Sequence, residues 1–289
     1  MNHHTPSVAY LGILGSFSYA AARALYGEHT TYRGCPTFSD IFEAVSSGST
    51  TYGVIPLENS LAGSIYENYD LLYEYRLRII AEYYLPVTHY LLMKKSPASS
   101  RERVDTVHTV YSHPKALEQC SRFLREHPQM QSVASADTAT AAQRVAQSDD
   151  ATVAAIGSAA LAELYDLTIV AEHIEDDTRN YTRFVSIATD DTAEPYADAP
   201  LKLSLAVTIA HTPGSLVHFL TRLYEDHHVN MTKIESRPLP HKPFEYIFYI
   251  DGLTRPLTAR ALDEMVTSIS AAATKVRVLG MYPVASLPE

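Results

Sequence analysis

The chain has 289 residues, of which 46% are hydrophobic and 19% charged, and this balance predicts a folded protein with a substantial core. Its formal net charge of −10 argues against nucleic acid or an anionic membrane as the main partner, because both require a basic protein surface. A small anionic substrate would require a local cluster of Arg, Lys and helix N-termini in this acidic protein.

The length predicts two domains at the usual ~100–200 residues per domain. Cys35 and Cys120 lie far apart and lack the spacing of a zinc site, so we expect two buried free thiols and no metal. Residues 1–10 lack the segments of a signal peptide, and no apolar run approaches the ~18 residues of a membrane helix. We therefore expect a cytoplasmic protein.

The first predicted elements are a strand, a glycine-containing turn and a helix. A strand over residues 8–11 is broken by Gly12, and an Ala-rich helix follows through about Tyr26. Gly12, Gly15 and Ser16 suit either a tight βα turn or a small-anion site at the helix start. The sequence lacks the third glycine of a dinucleotide site, so a nucleotide site is not predicted.

Strands and helices alternate from there to residue 172, which predicts a mostly parallel α/β architecture. The polar loop 57–64 follows a buried strand at a position where α/β proteins bind ligands. The polar segment 94–100 predicts two lobes with a cleft between them. The predicted helices are 38–45, 66–75, 112–124, 137–147 and 158–165, and the predicted strands are 52–56, 79–84, 88–93, 106–111, 131–134, 153–156 and 168–172.

The segment Asn180 to Phe184 places an amide, a hydroxyl and a fixed positive charge at the entrance of another predicted strand. A rigid strand that presents polar groups from its first residues suits a binding or catalytic site. Taken alone, the segment favours a plain strand entrance with Arg183 on the surface.

The region after residue 190 changes in composition. Residues 190–200 are rich in Asp, Thr, Ala, Glu and Pro, which predicts an interdomain linker. A βαββαβ order follows, which is the ferredoxin-like pattern and leaves a sheet edge exposed, so we expect an oligomer. The predicted strands are 201–209, 229–234, 246–250 and 275–281, and the predicted helices are 212–223 and 258–272.

Seven short motifs, each weak alone, occur in one order and together resemble the prephenate dehydratase family with a C-terminal ACT domain. They are Gly12-x-x-Gly15-Ser16-Phe17-Ser18, Pro56-x-Glu58-Asn59-Ser60-x-x-Gly63, Ser112-His113-Pro114 with Gln119-Cys120, Thr138-Ala139, Ala154-Ala155-Ile156, Asn180-x-Thr182-Arg183-Phe184, and Asn230-x-Thr232-Lys233-Ile234-Glu235-Ser236-Arg237-Pro238. The resemblance implies a catalytic domain over residues 1–190, with two α/β lobes similar to periplasmic binding proteins, and an ACT regulatory domain over residues 201–285.

The resemblance also implies the reaction, which is loss of carbon dioxide and water from prephenate to give phenylpyruvate, with no cofactor, in phenylalanine biosynthesis. Thr182 would donate a hydrogen bond to the departing hydroxyl, and Arg183 would supply a fixed charge. Neutral hydrogen bonds suit the carboxylate that must lose its charge, since a tight ion pair would favour the ground state. The residues expected to supply them are Asn59, Ser60, Ser112 and Gln119.

Further substrate contacts are expected from the other motif residues. Glu58 is awkward beside a dianion, so we expect it to orient its neighbours or to pair with a base. His113 is expected to start a helix rather than to act as a general acid. The remaining predicted contacts are Ser16, Thr138, Asn180 and Phe184.

The sequence departs from the family's pattern at a few positions. Ile13 and Ser16 stand where the family often has Pro and Thr, and Ser16 keeps a hydroxyl. Asp137 brings a negative charge to a position where the family has Ser, which puts a substrate contact there in doubt. Lys115 adds positive charge near the helix that begins at Ser112.

The ACT resemblance implies that phenylalanine binds as an allosteric effector across a pair of these domains, in a homodimer or homotetramer. A glycine-led helix start and an Arg/Glu turn would hold the amino acid's carboxylate and amine. Ser215 replaces the family's usual Ala. The predicted effector residues are Gly214, Ser215, Leu216, Val217, Asn230, Glu235, Ser236, Arg237 and Pro238.

Two alternatives stay open at this point. The substrate could be arogenate, because nothing in the sequence separates a side-chain ketone from an amine. The chain could also be a catalytically silent amino-acid sensor, because both predicted folds bind ligands; the hydroxyl of Thr182 argues against that.

Overall fold

The computed structural model describes residues 6–96, 103–189, 200–239, 242–255 and 257–288. Residues 97–100 of the predicted lobe boundary and 190–199 of the predicted linker lie outside these ranges. The described strands form two sheets with helices packed against them. None of the described helices is long and apolar enough to cross a membrane.

The first lobe is built on a mixed sheet. β1 pairs in parallel with β2 and β3, whereas β11 runs antiparallel to both β3 and β5, so the prediction of a mostly parallel architecture is only partly right. Its elements are β1 (Ser7–Leu11), α1 (Phe17–Tyr26), β2 (Thr31–Cys35), α2 (Phe38–Ser46), β3 (Tyr52–Asn59), β4 (Gly63–Ser64), α3 (Tyr66–Tyr75), β5 (Arg78–Pro86) and β11 (Tyr181–Ala188).

The second lobe is built on a separate five-stranded sheet. Its first strand begins at Tyr90, so the chain crosses between lobes at residues 87–89 and not at the predicted boundary after Lys94; it returns at residues 172–180. Its elements are β6 (Tyr90–Lys94), β7 (Thr109–Ser112), α4 (Pro114–Gln119), α5 (Ser121–Glu126), β8 (Gln131–Ala134), α6 (Thr138–Gln147), β9 (Val153–Gly157), α7 (Ala159–Leu164) and β10 (Leu167–Ala171).

The C-terminal unit has the predicted βαββαβ order. Its four antiparallel strands lie in the order β13-β14-β12-β15, and β15 continues into the first lobe's sheet by pairing with β5 at Gly280 and Ile79. A Cβ at Gly280 would collide with the carbonyl oxygen of Ile79, so glycine permits this approach. The elements are β12 (Leu201–Thr208), α8 (Ser215–Glu225), β13 (Asn230–Pro238), β14 (Tyr246–Thr254), α9 (Ala259–Ser270) and β15 (Lys275–Pro283).

Short polar side chains fix where several helices begin. Ser16 caps α1, and Thr37 with Asp40 forms a reciprocal capping box at α2. Asp137 accepts the N–H of Thr140 and so caps α6, as the sequence predicts. These caps hold the helix starts that follow β1 and β8, where the loops of the two lobes approach each other.

Three predicted boundaries are wrong in ways that affect the site. β3 continues to Asn59, so the predicted polar loop is the end of a strand followed by a tight β3–β4 turn. The predicted helix 112–124 is two short helices that break at Cys120. β13 runs through Pro238, so the predicted Arg/Glu turn is a strand.

Alternation along β11 sends neighbouring side chains to opposite faces of the first lobe's sheet. Phe184 packs in the core beneath α1, whereas Val185 packs in the core beneath α2. That second core also contains Ile247 and Tyr249 of the C-terminal unit. One face of β11 therefore packs against α1, and the other packs against α2 and the C-terminal unit.

Candidate active site

The side-chain amide of Asn59 joins the ends of β3 and β11. Its Oδ1 accepts the backbone N–H groups of Leu61 and Ala62 at 3.1 and 2.8 Å. Its Nδ2 lies within donor distance of three acceptors, Asn180 Oδ1 at 2.7 Å and, both at 3.1 Å, the Tyr181 carbonyl and Thr182 Oγ1. Because this amide nitrogen cannot accept a hydrogen bond, the hydroxyl hydrogen of Thr182 remains available for another acceptor.

A groove between the lobes lies beside this hydrogen-bonded group. Three segments form its walls: the β3–β4 turn, helix α4 and the chain that returns from β10 to β11. Asn180 belongs both to the groove and to the Asn59 group. The lining residues are Leu61, Ala62, Lys115, Glu118, Gln119, Glu175, Asp176, Asp177 and Asn180.

Two amide groups in the groove are set up to donate hydrogen bonds. His89 Nε2 and Gln119 Oε1 are 2.9 Å apart. The Gln119 oxygen can only accept, so His89 Nε2 donates to it, and the NH₂ group of Gln119 is left for a ligand. Burial lowers the pKa of His89, although Gln119 and Glu175 oppose this. The Nδ2 atom of Asn180 is buried and has no hydrogen-bond partner among the described residues. Both amides therefore offer N–H donors to a ligand in the groove.

Carboxylates outnumber cations along the groove, although most are already engaged. Glu175 accepts the backbone N–H of His89 at 2.7 Å, and Asp176 accepts the backbone N–H of Arg122 at 2.9 Å. Lys115 is the cation among the lining residues, and it pairs with Glu118 at 2.8 Å. The expected cluster of Arg and Lys is not found along this lining, so an anionic ligand would rely on Lys115 and neutral donors.

Arg183 points away from the groove. Its side chain lies in the interior, where Nε contacts Glu82 at 2.8 Å, Nη1 contacts Asp251 at 2.5 Å and Nη2 donates to the Tyr282 hydroxyl at 2.7 Å. Only 4% of the residue is exposed. The expected role as a charge for the substrate therefore lacks support in this geometry, since the guanidinium group is engaged by Glu82 on β5, by Asp251 and Tyr282 of the C-terminal unit and, at 3.9 Å, by Glu58 on β3.

Lys202 completes what we call the interdomain charge cluster. It contacts both oxygens of Glu82 at 2.7 Å, and Ser204 donates to Asp251 at 2.5 Å. Two cations and two carboxylates thus neutralise one another out of water, as buried charges require. The cluster consists of Arg183, Glu82, Lys202, Asp251, Ser204 and Tyr282.

Comparisons with known proteins agree on one family. A family profile described as prephenate dehydratase matches residues 8–192. The chain is 36% identical over 288 residues to the bifunctional chorismate mutase/prephenate dehydratase of Escherichia coli (strain K12). The aligned region covers 98% of this chain and 72% of that protein. The chain belongs to the prephenate dehydratase family. The resemblance to prephenate dehydratases seen in the sequence is thereby confirmed.

Solved structures share this fold. A prephenate dehydratase from Arthrobacter aurescens in complex with L-Phe superimposes with a TM-score of 0.83 at 26% identity, over 96% of this chain and 90% of that one. GqqA, described as a novel type of quorum quenching acylase, superimposes with a TM-score of 0.84 at 29% identity, over 96% of this chain and 98% of that one. The mixed α/β fold with two sheets is thus that of solved prephenate dehydratases.

The other predicted contacts of this family member occupy different environments. Ser60 is exposed and bonds to the backbone of Arg179 and Tyr181, which fastens the turn to β11. Ser112 is 0% exposed and donates to the carbonyl of Ile156, so it does not reach the groove in this conformation. Phe184 is a core residue of the first lobe.

The turn before α1 approaches helix α7 of the second lobe. Ser16 donates to the Leu11 carbonyl and caps α1, which favours the tight-turn interpretation over a small-anion site. A Cβ at Gly15 would collide with Leu161 of α7, so the lobes touch closely here. Thr138 is buried at the first position of α6.

The predicted effector residues lie on two elements. Gly214 adopts a left-handed conformation just before α8, and Val217 on that helix is 68% exposed. On β13, Glu235 accepts from Ser64 at 2.7 Å and Arg237 donates to Asp70 at 2.7 Å. These last two side chains face the first lobe. Ser215 and Leu216 lie with Val217 on α8, and Asn230, Ser236 and Pro238 are exposed along β13.

Sequence reasoning missed His89 and the partners of Arg183. His89 stands just before the apolar run that starts β6, and Glu82, Lys202 and Asp251 each stand inside a mainly apolar strand. Charges in such strands must pair, but their partners depend on how distant strands align. Glu58 contacts Lys233 at 2.8 Å, which corresponds to the second of the two roles expected for it, pairing with a base.

Proposed function

We propose that this protein is a prephenate dehydratase, a carbon–oxygen lyase that converts prephenate to phenylpyruvate in phenylalanine biosynthesis. The observation that carries the proposal is the bond from Asn59 Nδ2 to Thr182 Oγ1 beside the groove. It leaves Thr182 as a hydrogen-bond donor, which is the group that a departing hydroxyl needs.

The chemistry asks little more of the protein than position and one donor. As the C–O bond breaks, the electrons of the C–C bond to the leaving carboxylate form a ring double bond, and carbon dioxide departs. The hydroxyl leaves as water after gaining a proton, and the gain of aromaticity drives the step. The Thr182 hydroxyl is a weak acid, so it acts through a hydrogen bond that strengthens as the C–O bond lengthens, typically worth a factor of ~10²–10³.

The groove suits a substrate with two different carboxylates. Lys115 offers a charge for the carboxylate that stays, whereas Gln119 and Asn180 offer neutral N–H donors for the one that leaves. A neutral environment does not stabilise the ground-state charge of the leaving carboxylate as an ion pair would. The Gln119 amide is held for this purpose by His89.

An acylase reaction with Thr182 as the nucleophile, suggested by the likeness to GqqA, is disfavoured by the same geometry. A threonine nucleophile must give its proton to a neighbouring base. Here the partner of Thr182 is the NH₂ end of Asn59, which donates and cannot accept. The arrangement therefore supports hydrogen-bond donation by Thr182 and not its activation as a nucleophile.

We propose further that the C-terminal unit is an ACT domain that binds phenylalanine and inhibits the enzyme. The βαββαβ order and the L-Phe complex of the Arthrobacter aurescens relative support this. Inhibition would be a population shift, since an effector that binds one arrangement of the unit more tightly favours that arrangement. A homodimer or homotetramer fits the exposed edge of β13.

The experiment is a steady-state assay of the purified protein with prephenate and, separately, arogenate. Formation of phenylpyruvate from prephenate supports the dehydratase, and formation of phenylalanine from arogenate would identify the alternative substrate. Turnover of neither compound, together with phenylalanine binding measured by calorimetry, would replace the proposal with the silent sensor.

A further inference from the structure

Lys233 of β13 reaches across to the β3–β4 hairpin of the first lobe. Its ammonium group lies 2.8 Å from Glu58 Oε1 and 2.9 Å from Ser64 Oγ. Ser64 in turn donates to Glu235 at 2.7 Å. The Lys233 side chain is largely buried, with 15% exposed, so these contacts are screened little by solvent. The C-terminal unit therefore contacts both strands of the hairpin, at Glu58 on β3 and at Ser64 on β4.

The hairpin is the part of the first lobe that positions Asn59 opposite Thr182. Glu58 is opposite Ser64, and Asn59 is opposite Gly63. The same two β3 residues face β11, where Asn59 is opposite Thr182 and Glu58 is opposite Arg183. On each strand one residue belongs to the hydrogen-bonded group beside the groove, and its neighbour contacts the C-terminal unit.

We propose that Lys233 is a positioning residue for the dehydration reaction: by holding Glu58 and Ser64 it fixes the hairpin that aligns Asn59 with Thr182. This inference rests on the proposed function. Lys233 also lies two residues from Glu235, and both contact Ser64. An effector that binds Glu235 would therefore change the contacts that hold the hairpin. Strand β13 thereby links the predicted phenylalanine site to Thr182.

The test compares Lys233→Met with wild type, since methionine keeps the apolar stem beside the Tyr69 ring and removes the charge. We expect kcat with prephenate to fall between about ten- and a hundredfold, because small displacements of catalytic groups are costly, while KM changes little. Lys233→Arg retains charge and reach and should keep most of the activity. Lys242→Met, at an exposed pair with Glu245, is the matched control and should behave as wild type.

Hydrogen exchange gives a readout that does not need turnover. Peptides covering residues 57–64 and 180–184 should exchange faster in Lys233→Met than in wild type or Lys242→Met. If kcat and exchange in Lys233→Met match wild type, the proposal is wrong; a raised KM with unchanged kcat would make Lys233 a binding group instead and also overturns it. If wild type lacks turnover, the proposed function fails, and the exchange data alone decide whether Lys233 holds the hairpin.

Discussion

At the scale of single residues, the direction of one hydrogen bond decides what Thr182 can do. Two backbone N–H groups require oxygen at one end of the Asn59 side chain, so its other end must be the NH₂ group. Thr182 Oγ1 then accepts, and its own hydrogen is directed elsewhere. Both ends of the Asn59 amide are thus engaged within the protein, so in the proposed mechanism we expect it to orient Thr182 and not to bind substrate.

Asn59→Asp tests this directly, because the two side chains have nearly the same shape. One carboxylate oxygen would still accept the backbone N–H groups, but the other would capture the Thr182 hydrogen. We expect kcat to fall about 10²-fold or more while KM changes little. Steady-state kinetics measures this, and the urea midpoint checks that the fold is retained; undiminished kcat in a folded variant would contradict the orienting role.

Residue chemistry could be predicted for the groove but not for its surroundings. Asn59, Gln119, Asn180 and Thr182 were all predicted site residues, and the structure brings the first, third and fourth together by hydrogen bonds. The direction of Arg183 could not be predicted, since adjacent strand residues face opposite sides and the partners depend on register with β5 and β14. The direction of the Arg183 side chain follows from how β11, β5 and β14 are aligned, and these strands are distant in the sequence.

At the scale of secondary-structure elements, β11 is held between lobe and C-terminal unit by the interdomain charge cluster. Arg183 contacts Glu82 on β5, Asp251 on β14 and Tyr282 on β15. Lys202 and Ser204 add β12, so five strands share one buried network. Removing one member leaves a charge without compensation in the interior. The cluster therefore fixes how the C-terminal unit sits on the strand that carries Thr182.

Arg183→Met should be strongly destabilising because Glu82 and Asp251 would lose a cation. We expect the free energy of unfolding to fall by about 3–5 kcal/mol, the usual effect of breaking a buried ion pair. Urea unfolding measures the change, and Arg260→Met, at an exposed pair with Glu264, should leave the midpoint nearly unchanged. Equal midpoints for the two variants would show that the cluster contributes no stability.

Asp251 gives the cluster a dependence on pH. Burial alone would raise the pKa of this carboxyl, but Arg183, Ser204 and Lys202 outweigh burial and hold it below its usual value. Its contribution to stability is therefore present above the unfolded pKa of about 3.9 and is lost as the pH falls through the lower folded pKa. Unfolding measured between neutral and acid pH should show a shallower acid decline for Asp251→Asn than for wild type; parallel curves would contradict this.

At the scale of the whole molecule, the C-terminal unit continues the first lobe's sheet and leaves β13 as an open edge. The predicted βαββαβ order is found, because its alternating strands and amphipathic helices mark it in the sequence. The junction between β15 and β5 was not predicted, since it depends on close approach at a single glycine. Local patterns determine elements, whereas contacts between distant strands determine how the units join.

The open edge should pair with a second copy of the chain. Ile234 on β13 is 46% exposed, and Tyr224 on the neighbouring α8 is 59% exposed, which is unusual for such side chains. Ile234→Lys places a charge on this edge and should shift the mass measured by light scattering toward the monomer. An unchanged oligomeric mass would locate the interface elsewhere, and a monomeric wild type would contradict pairing altogether.

The most direct test of the account is kcat with prephenate for Thr182→Val and Thr182→Ser, measured beside wild type. Valine keeps the shape and removes the hydroxyl, so we expect kcat to fall ~10²–10³-fold with KM little changed. Serine keeps the donor and should retain most of the rate. If Thr182→Val turned over prephenate as fast as wild type, this would contradict the claim that Thr182 assists departure of the substrate hydroxyl.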